Sequence, residues 1–148
     1  MSLSEDGQHP NYVGTRTDGT PVSRPLSPHL QVYDMMQMTS ALSIMSRATG
    51  IAWSVGLVFL VWWLTALAAG PPAFASVQWF LGSVLGWVVL VGLIVVTWYH
   101  TLAGIRHLVW DAGYGYDMPS TYRSGRMVLI GTVGLSVLTL IILIAAWI

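Results

Sequence analysis

His100, Arg106, His107 and Asp111 fall within one short stretch, HTLAGIRHLVWDAG, residues 100–113. They close a long run in which no Asp, Glu, Lys or Arg occurs between Arg47 and Arg106. Ionisable side chains are costly in an apolar setting and mark functional sites when they sit there. On a helix, His100 and His107 share nearly one face, two turns apart, with Gly104 between them. Glycine on that face leaves a notch where a planar ligand can approach the backbone. A neutral imidazole is a natural axial ligand for haem iron. A plainer reading also fits: His100 hydrogen-bonds a neighbouring helix, and Gly104 serves close helix packing. Arg106 can snorkel to an interface, and Asp111 can pair with Arg106 or with His107.

A second polar cluster is TSALSIMSRATG, residues 39–50. Ser43 and Arg47 are four residues apart and so share a helix face. A hydroxyl beside a guanidinium forms a donor pair suited to a quinone carbonyl or a haem propionate. Arg47 can equally mark the membrane interface.

These residues need elements to hold them, and composition says which. The chain has 148 residues, 55% hydrophobic and only 8% charged, with mean hydropathy +0.67. Soluble domains carry about 25% charged residues. Eight Trp suit the aromatic belts of a membrane protein. The absence of Cys excludes disulfides and thiolate metal sites. Zero net charge gives no reason to expect nucleic-acid binding. Three apolar segments, about 40–69, 77–110 and 127–148, each meet the roughly 20 residues needed to span a bilayer. Pro71 and Pro72 separate the first two. The Gly- and Pro-bearing GYGYDMPSTYRSG separates the last two. The second segment exceeds the bilayer and should tilt or project. Residues 1–22 read as a polar, poorly ordered tail and not as a signal peptide, and residues 23–148 read as a membrane-anchor domain. The fold class expected is all-α, with three transmembrane helices.

Arginines supply the orientation. Arg16, Arg24 and Arg47 precede or open the first segment, and Arg106, Arg123 and Arg126 flank the second connection. The positive-inside rule then places the N-terminus and that connection in the cytoplasm, with the C-terminus on the periplasmic side, or the mitochondrial equivalent. His100 lies eleven residues before Asp111, about 16 Å deeper by helical rise, and His107 lies about 10 Å nearer the surface than His100.

The pattern His-x3-Gly-Ile-Arg-His-x2-aromatic-Asp-x-Gly, with RPLSPHLQVY (residues 24–33) and SIMSRATG (residues 43–50), resembles the cytochrome b subunit of succinate dehydrogenase. That is the larger membrane-anchor subunit of complex II, and the resemblance covers about residues 24–148. It implies a hetero-oligomeric helix bundle with a second three-helix membrane subunit. One haem b is shared between the two, and His100 is its axial ligand from this chain. It implies Ser43 and Arg47 at the quinone; Arg47, His107 and Arg106 are the candidates for the haem propionates or the surroundings of the ligand. It implies an iron–sulfur and a flavoprotein subunit, the latter holding the succinate site, so no catalytic residue is expected here. The setting implied is the bacterial inner membrane or its mitochondrial counterpart. Ser46 stands where the family's pattern has a histidine near the propionates, and that contact does not carry over. A fumarate reductase anchor and a haem-free docking scaffold are the alternatives.

Overall fold

The computed structural model describes residues 11–25 and 34–147. Residues 11–25 stand as a unit of their own, an antiparallel hairpin of β1 (Asn11–Thr15) and β2 (Pro21–Pro25). Its turn is built from Asp18 and Gly19. Gly19 takes φ 85°, a left-handed value that glycine adopts without strain. The Asp18 carboxylate accepts from Thr20 N (3.0 Å) and Thr20 Oγ1 (2.6 Å). The Thr20 hydroxyl, and then its N–H, hold the Asp18 carboxyl below its usual pKa. Residues 11–22, read from composition as part of a polar tail, lie in this hairpin, which Asp-Gly turn chemistry closes. Residues 1–10 lie outside the described residues, as does RPLSPHLQVY from Leu26 to Tyr33.

The second unit holds four helices: α1 (Met38–Ala69), α2 (Pro71–Leu81), α3 (Val84–Asp111) and α4 (Met118–Trp147). Three of them, α1, α3 and α4, are long and apolar enough to cross a membrane. Three boundaries differ from the sequence reading, one through where the prolines fall and two through capping. Pro71 and Pro72 do not leave a loop. They fill the first helical positions of α2, where a missing N–H costs nothing. Gly70 at φ 103° makes the turn between α1 and α2. The expected 77–110 span is split at Gly82–Ser83. Ser83 Oγ accepts from Gly86 N (3.0 Å) and donates to Phe80 O (2.6 Å), so one hydroxyl ends α2 and caps α3. The third span begins at Met118 rather than at 127. Asp117 Oδ2 accepts from Ser120 N (3.0 Å), and Pro119 sits in the first turn, where it is tolerated. That N–H keeps the Asp117 carboxyl below its ordinary pKa.

The long helices run antiparallel in sequence order, with α3 packed against both α1 and α4. Leu42, Tyr99, Ala103 and Val128 form the buried core, flanked by Met38 and Leu102. Tyr99 OH donates to Leu42 O at 3.0 Å, and Trp98 Nε1 donates to Thr139 Oγ1 at 2.9 Å. Phe59 and Trp62 of α1 hold Phe80 of α2 by ring contacts of 6.0 and 5.6 Å. Most other apolar side chains face outward, as lipid or a partner helix requires. The start of α1, the end of α3 and the start of α4 share one end of the bundle, and Arg47, Arg106, Arg123 and Arg126 are all there.

Gly86 allows the tight α2–α3 corner: a Cβ on it would collide with the Phe80 carbonyl oxygen and come within 2.7 Å of Leu81 Cα. Gly92, one helical stretch onward, has open space at that position. Gly86→Ala is therefore expected to lower stability by about 1–3 kcal/mol, and Gly92→Ala to leave it unchanged or slightly raised. Thermal unfolding of the detergent-solubilised protein measures both, and equal midpoints would contradict this reading of the corner.

Candidate functional site

His100 is half-buried on α3, and its ring is held by three residues of α1. Thr49 Oγ1 lies 3.4 Å from His100 Nδ1. Trp53 stacks beside the imidazole, with centroids 6.1 Å apart and planes within 18°. Gly50 supplies the clearance: a Cβ there would come within 3.2 Å of His100 Cε1. The His100 Nε2 atom makes no hydrogen bond among the described residues. One turn on, Gly104 has nothing within 4 Å of where a Cβ would be. The same face of α3 thus carries an oriented imidazole and, beside it, exposed backbone.

His107 shares that face but not that setting. It is exposed, and its Nδ1 donates to Ala103 O of its own helix at 2.7 Å. Its ring meets Trp110 edge-on at 5.3 Å. No residue of α1 or α4 makes a hydrogen bond or ring contact with it. Depth and seating both favour His100 as the ring that another helix positions.

Ser43 and Arg47 come together as their spacing predicts. Arg47 Nη2 donates to Ser43 Oγ and Arg47 Nε to Ser43 O, each at 3.3 Å. Both residues are exposed. Ser43, Arg47 and Gly50 occupy positions i, i+4 and i+7 of α1, so the donor pair lies on the stripe that meets His100. Along the axis, Gly50 is about 4.5 Å beyond Arg47. Ser46 is half-buried, and its carbonyl lies 3.1 Å from Thr49 Oγ1.

Arg106 faces elsewhere. It is 9% exposed and turns toward α4, where Nε donates to Ser124 Oγ (2.9 Å) and Nη2 to Thr121 O (3.1 Å). Its guanidinium carbon stands 3.9 Å over the Trp110 ring. It lines an apolar cavity of about 310 Å³ between α3 and α4, with Leu102, Val109 and Met127. No ion pair joins it to Asp111, which is exposed. Arg106 is thus a tie between helices, about 240° around α3 from His100. Sequence spacing does not single out Thr49, Gly50 and Trp53. The one available sign was a small Thr-Gly pair about a turn past Arg47.

Residues 20–141 match the model of a family described as "Succinate dehydrogenase/Fumarate reductase transmembrane subunit". The chain belongs to that family. Within it, the chain is 47% identical over 120 residues to the succinate dehydrogenase cytochrome b556 subunit of Paracoccus denitrificans, covering 81% of this chain and 92% of that protein. It is 36% identical over 113 residues to the cytochrome b560 subunit of Reclinomonas americana, covering 73% and 78%. It is 41% identical over 116 residues to the mitochondrial cytochrome b560 subunit of Sus scrofa, covering 75% and 66%. The three apolar helices are those of a transmembrane subunit family.

Replacing Arg106 should loosen the α3–α4 pairing. Arg106→Met removes two charge-assisted hydrogen bonds and leaves the Thr121 carbonyl without that donor, at an expected cost of about 1.5–3 kcal/mol. Arg123→Met, at an exposed position, should stay within about 0.5 kcal/mol. The unfolding midpoints in detergent decide it: an Arg106 variant as stable as the Arg123 variant would show that the tie carries no weight.

Proposed function

We propose that this chain is the haem b-binding membrane anchor of a succinate:quinone oxidoreductase and helps electrons reach quinone. The anchoring role follows from the family and the three spans. The observation that carries the haem reading is His100, a ring at membrane depth that α1 orients through Thr49, Gly50 and Trp53. The residues fit the group: an imidazole with Nε2 unengaged, and open backbone at Gly104 where a macrocycle can lie close. Haem b, when bound, supplies a one-electron redox centre. This chain fixes the imidazole, walls the group with the apolar faces of α1 and α3, and keeps water away.

His100 would hold the haem from this chain, and a second membrane subunit with its own histidine would complete the site and cover the exposed α1–α3 face. Iron–sulfur and flavoprotein subunits dock at the arginine-rich end, which the positive-inside rule assigns to the cytoplasm or matrix. Arg47 and Ser43, at that same end and on the Gly50 stripe, are placed to donate to a quinone carbonyl. Arg47 is also free to reach a propionate. His107, nearer the surface, suits a propionate or water. Arg106, engaged with α4, suits neither, so of the residues considered for the propionates it is the one whose geometry argues against the role. The names of the relatives favour succinate oxidation over fumarate reduction.

In the assembled complex, Ser43→Ala and Arg47→Leu should lower quinone reduction roughly tenfold, the worth of one charge-assisted hydrogen bond. Succinate oxidation with a soluble acceptor should stay near the parent rate. A reduced-minus-oxidised optical spectrum of the parent complex should show b-type haem. Normal quinone kinetics in both variants would remove the quinone assignment, and a spectrum without haem would leave only the scaffold.

A further inference from the structure

Thr49 is buried at 6% exposure, and its hydroxyl has one proton to give. That proton goes to the backbone: Oγ1 donates to Met45 O at 2.7 Å, with Ser46 O at 3.1 Å. A threonine bonded back to the preceding turn of its helix has only lone pairs left for a third group. His100 Nδ1 lies 3.4 Å away, and with that proton engaged Oγ1 can meet it only as an acceptor. The imidazole has one proton in its neutral form, so Nε2 holds the lone pair. Trp53 on one side and the bare Cα of Gly50 at the ring edge leave the imidazole little room to turn. The chain that orients His100 is thus α1 backbone carbonyl, Thr49 hydroxyl, His100 Nδ1–H.

We propose that Thr49 is a positioning residue for His100: its hydroxyl accepts the Nδ1–H, fixes the tautomer and the ring plane, and leaves Nε2 to ligate iron. The proposal rests on the reading of His100 as the haem ligand. An acceptor at Nδ1–H makes an imidazole a better electron donor to its metal. Thr49 therefore stabilises the ferric over the ferrous state, and removing its oxygen raises the midpoint potential. The contact is long, so the effect is that of one weak neutral hydrogen bond.

The test uses the complete membrane complex and reads the haem directly, by potentiometric titration and by the ferric low-spin electron paramagnetic resonance signal. Thr49→Val keeps the shape and loses the oxygen. It should shift the reduction equilibrium toward ferrous haem on the order of two- to tenfold and change the spread of the g values. Thr49→Ala should move the potential the same way, and Thr49→Ser, which keeps the hydroxyl, should restore it. His100→Leu is the reference for a lost ligand and should abolish the low-spin signal. Parent potential and g values in both Thr49→Val and Thr49→Ala, with the signal lost in His100→Leu, overturn the role of Thr49 and leave the ligand reading standing. A low-spin signal that survives His100→Leu overturns the ligand reading itself.

Discussion

An imidazole in hydrocarbon needs a partner for each of its nitrogens, because no water is there to supply one. Among the described residues His100 has a partner on one nitrogen only, the Thr49 hydroxyl of α1. That half-satisfied ring organises much of what surrounds it. The contact requires α1 and α3 to approach closely, which Gly50 permits by lacking a Cβ where His100 Cε1 lies. It requires the two helices to keep a fixed rotation and register, which the Tyr99–Leu42 hydrogen bond secures beside it. It leaves the second nitrogen to a ligand, and a metal that takes a lone pair there satisfies the ring completely.

The rest of the bundle separates this face from the structural one. On the α4 side of α3, polar groups pair within the chain: Arg106 with Ser124 and Thr121, and Trp98 with Thr139. Gly125 and Gly131 of α4 give Leu42, Met38 and Leu102 room to pack. On the α1 side, His100, Gly104 and the Ser43–Arg47 pair are exposed or half-exposed. One helix thus carries a closed seam on one flank and an open, chemically equipped flank on the other. Four arginines gather at the end where that flank carries Ser43 and Arg47, so the anionic or carbonyl-bearing ends of ligands are favoured there and apolar rings deeper down.

Much of this was legible from residue types and spacing. The three spans follow from runs of uncharged residues, and the i, i+4 spacing of Ser43 and Arg47 anticipates their hydrogen bonds. The two motifs anticipate the family. Where the sequence misleads, single side-chain oxygens are responsible. Ser83 and Asp117 cap α3 and α4, and hydropathy does not register a cap, so the second span was read as one helix with α2's end, and the third as starting nine residues late. Prolines read as breaks turn out to open helices, because their effect depends on whether they fall in a first turn. Asp18 and Gly19 close a hairpin inside a stretch whose composition suggested a tail. Arg106 was a candidate for the haem propionates, but its guanidinium bonds Ser124 and Thr121 of α4, on another face of α3 than His100. The seat of His100 left only a small Thr-Gly pair past Arg47 as a sign, since which residue of α1 meets α3 is settled by packing between helices and leaves no periodic trace.

In the proposed complex, this chain gives the haem one ligand, His100. Label this chain alone with nitrogen-15 histidine, in a His107→Leu background, and assemble it with unlabelled partner subunits. His100 is then the only labelled histidine within α1, α3 and α4. Pulsed electron paramagnetic resonance of the ferric haem should show strong nitrogen-15 coupling from one axial nitrogen and nitrogen-14 coupling from the other. Two nitrogen-14 axial ligands would contradict the claim, because the iron would then be held without His100.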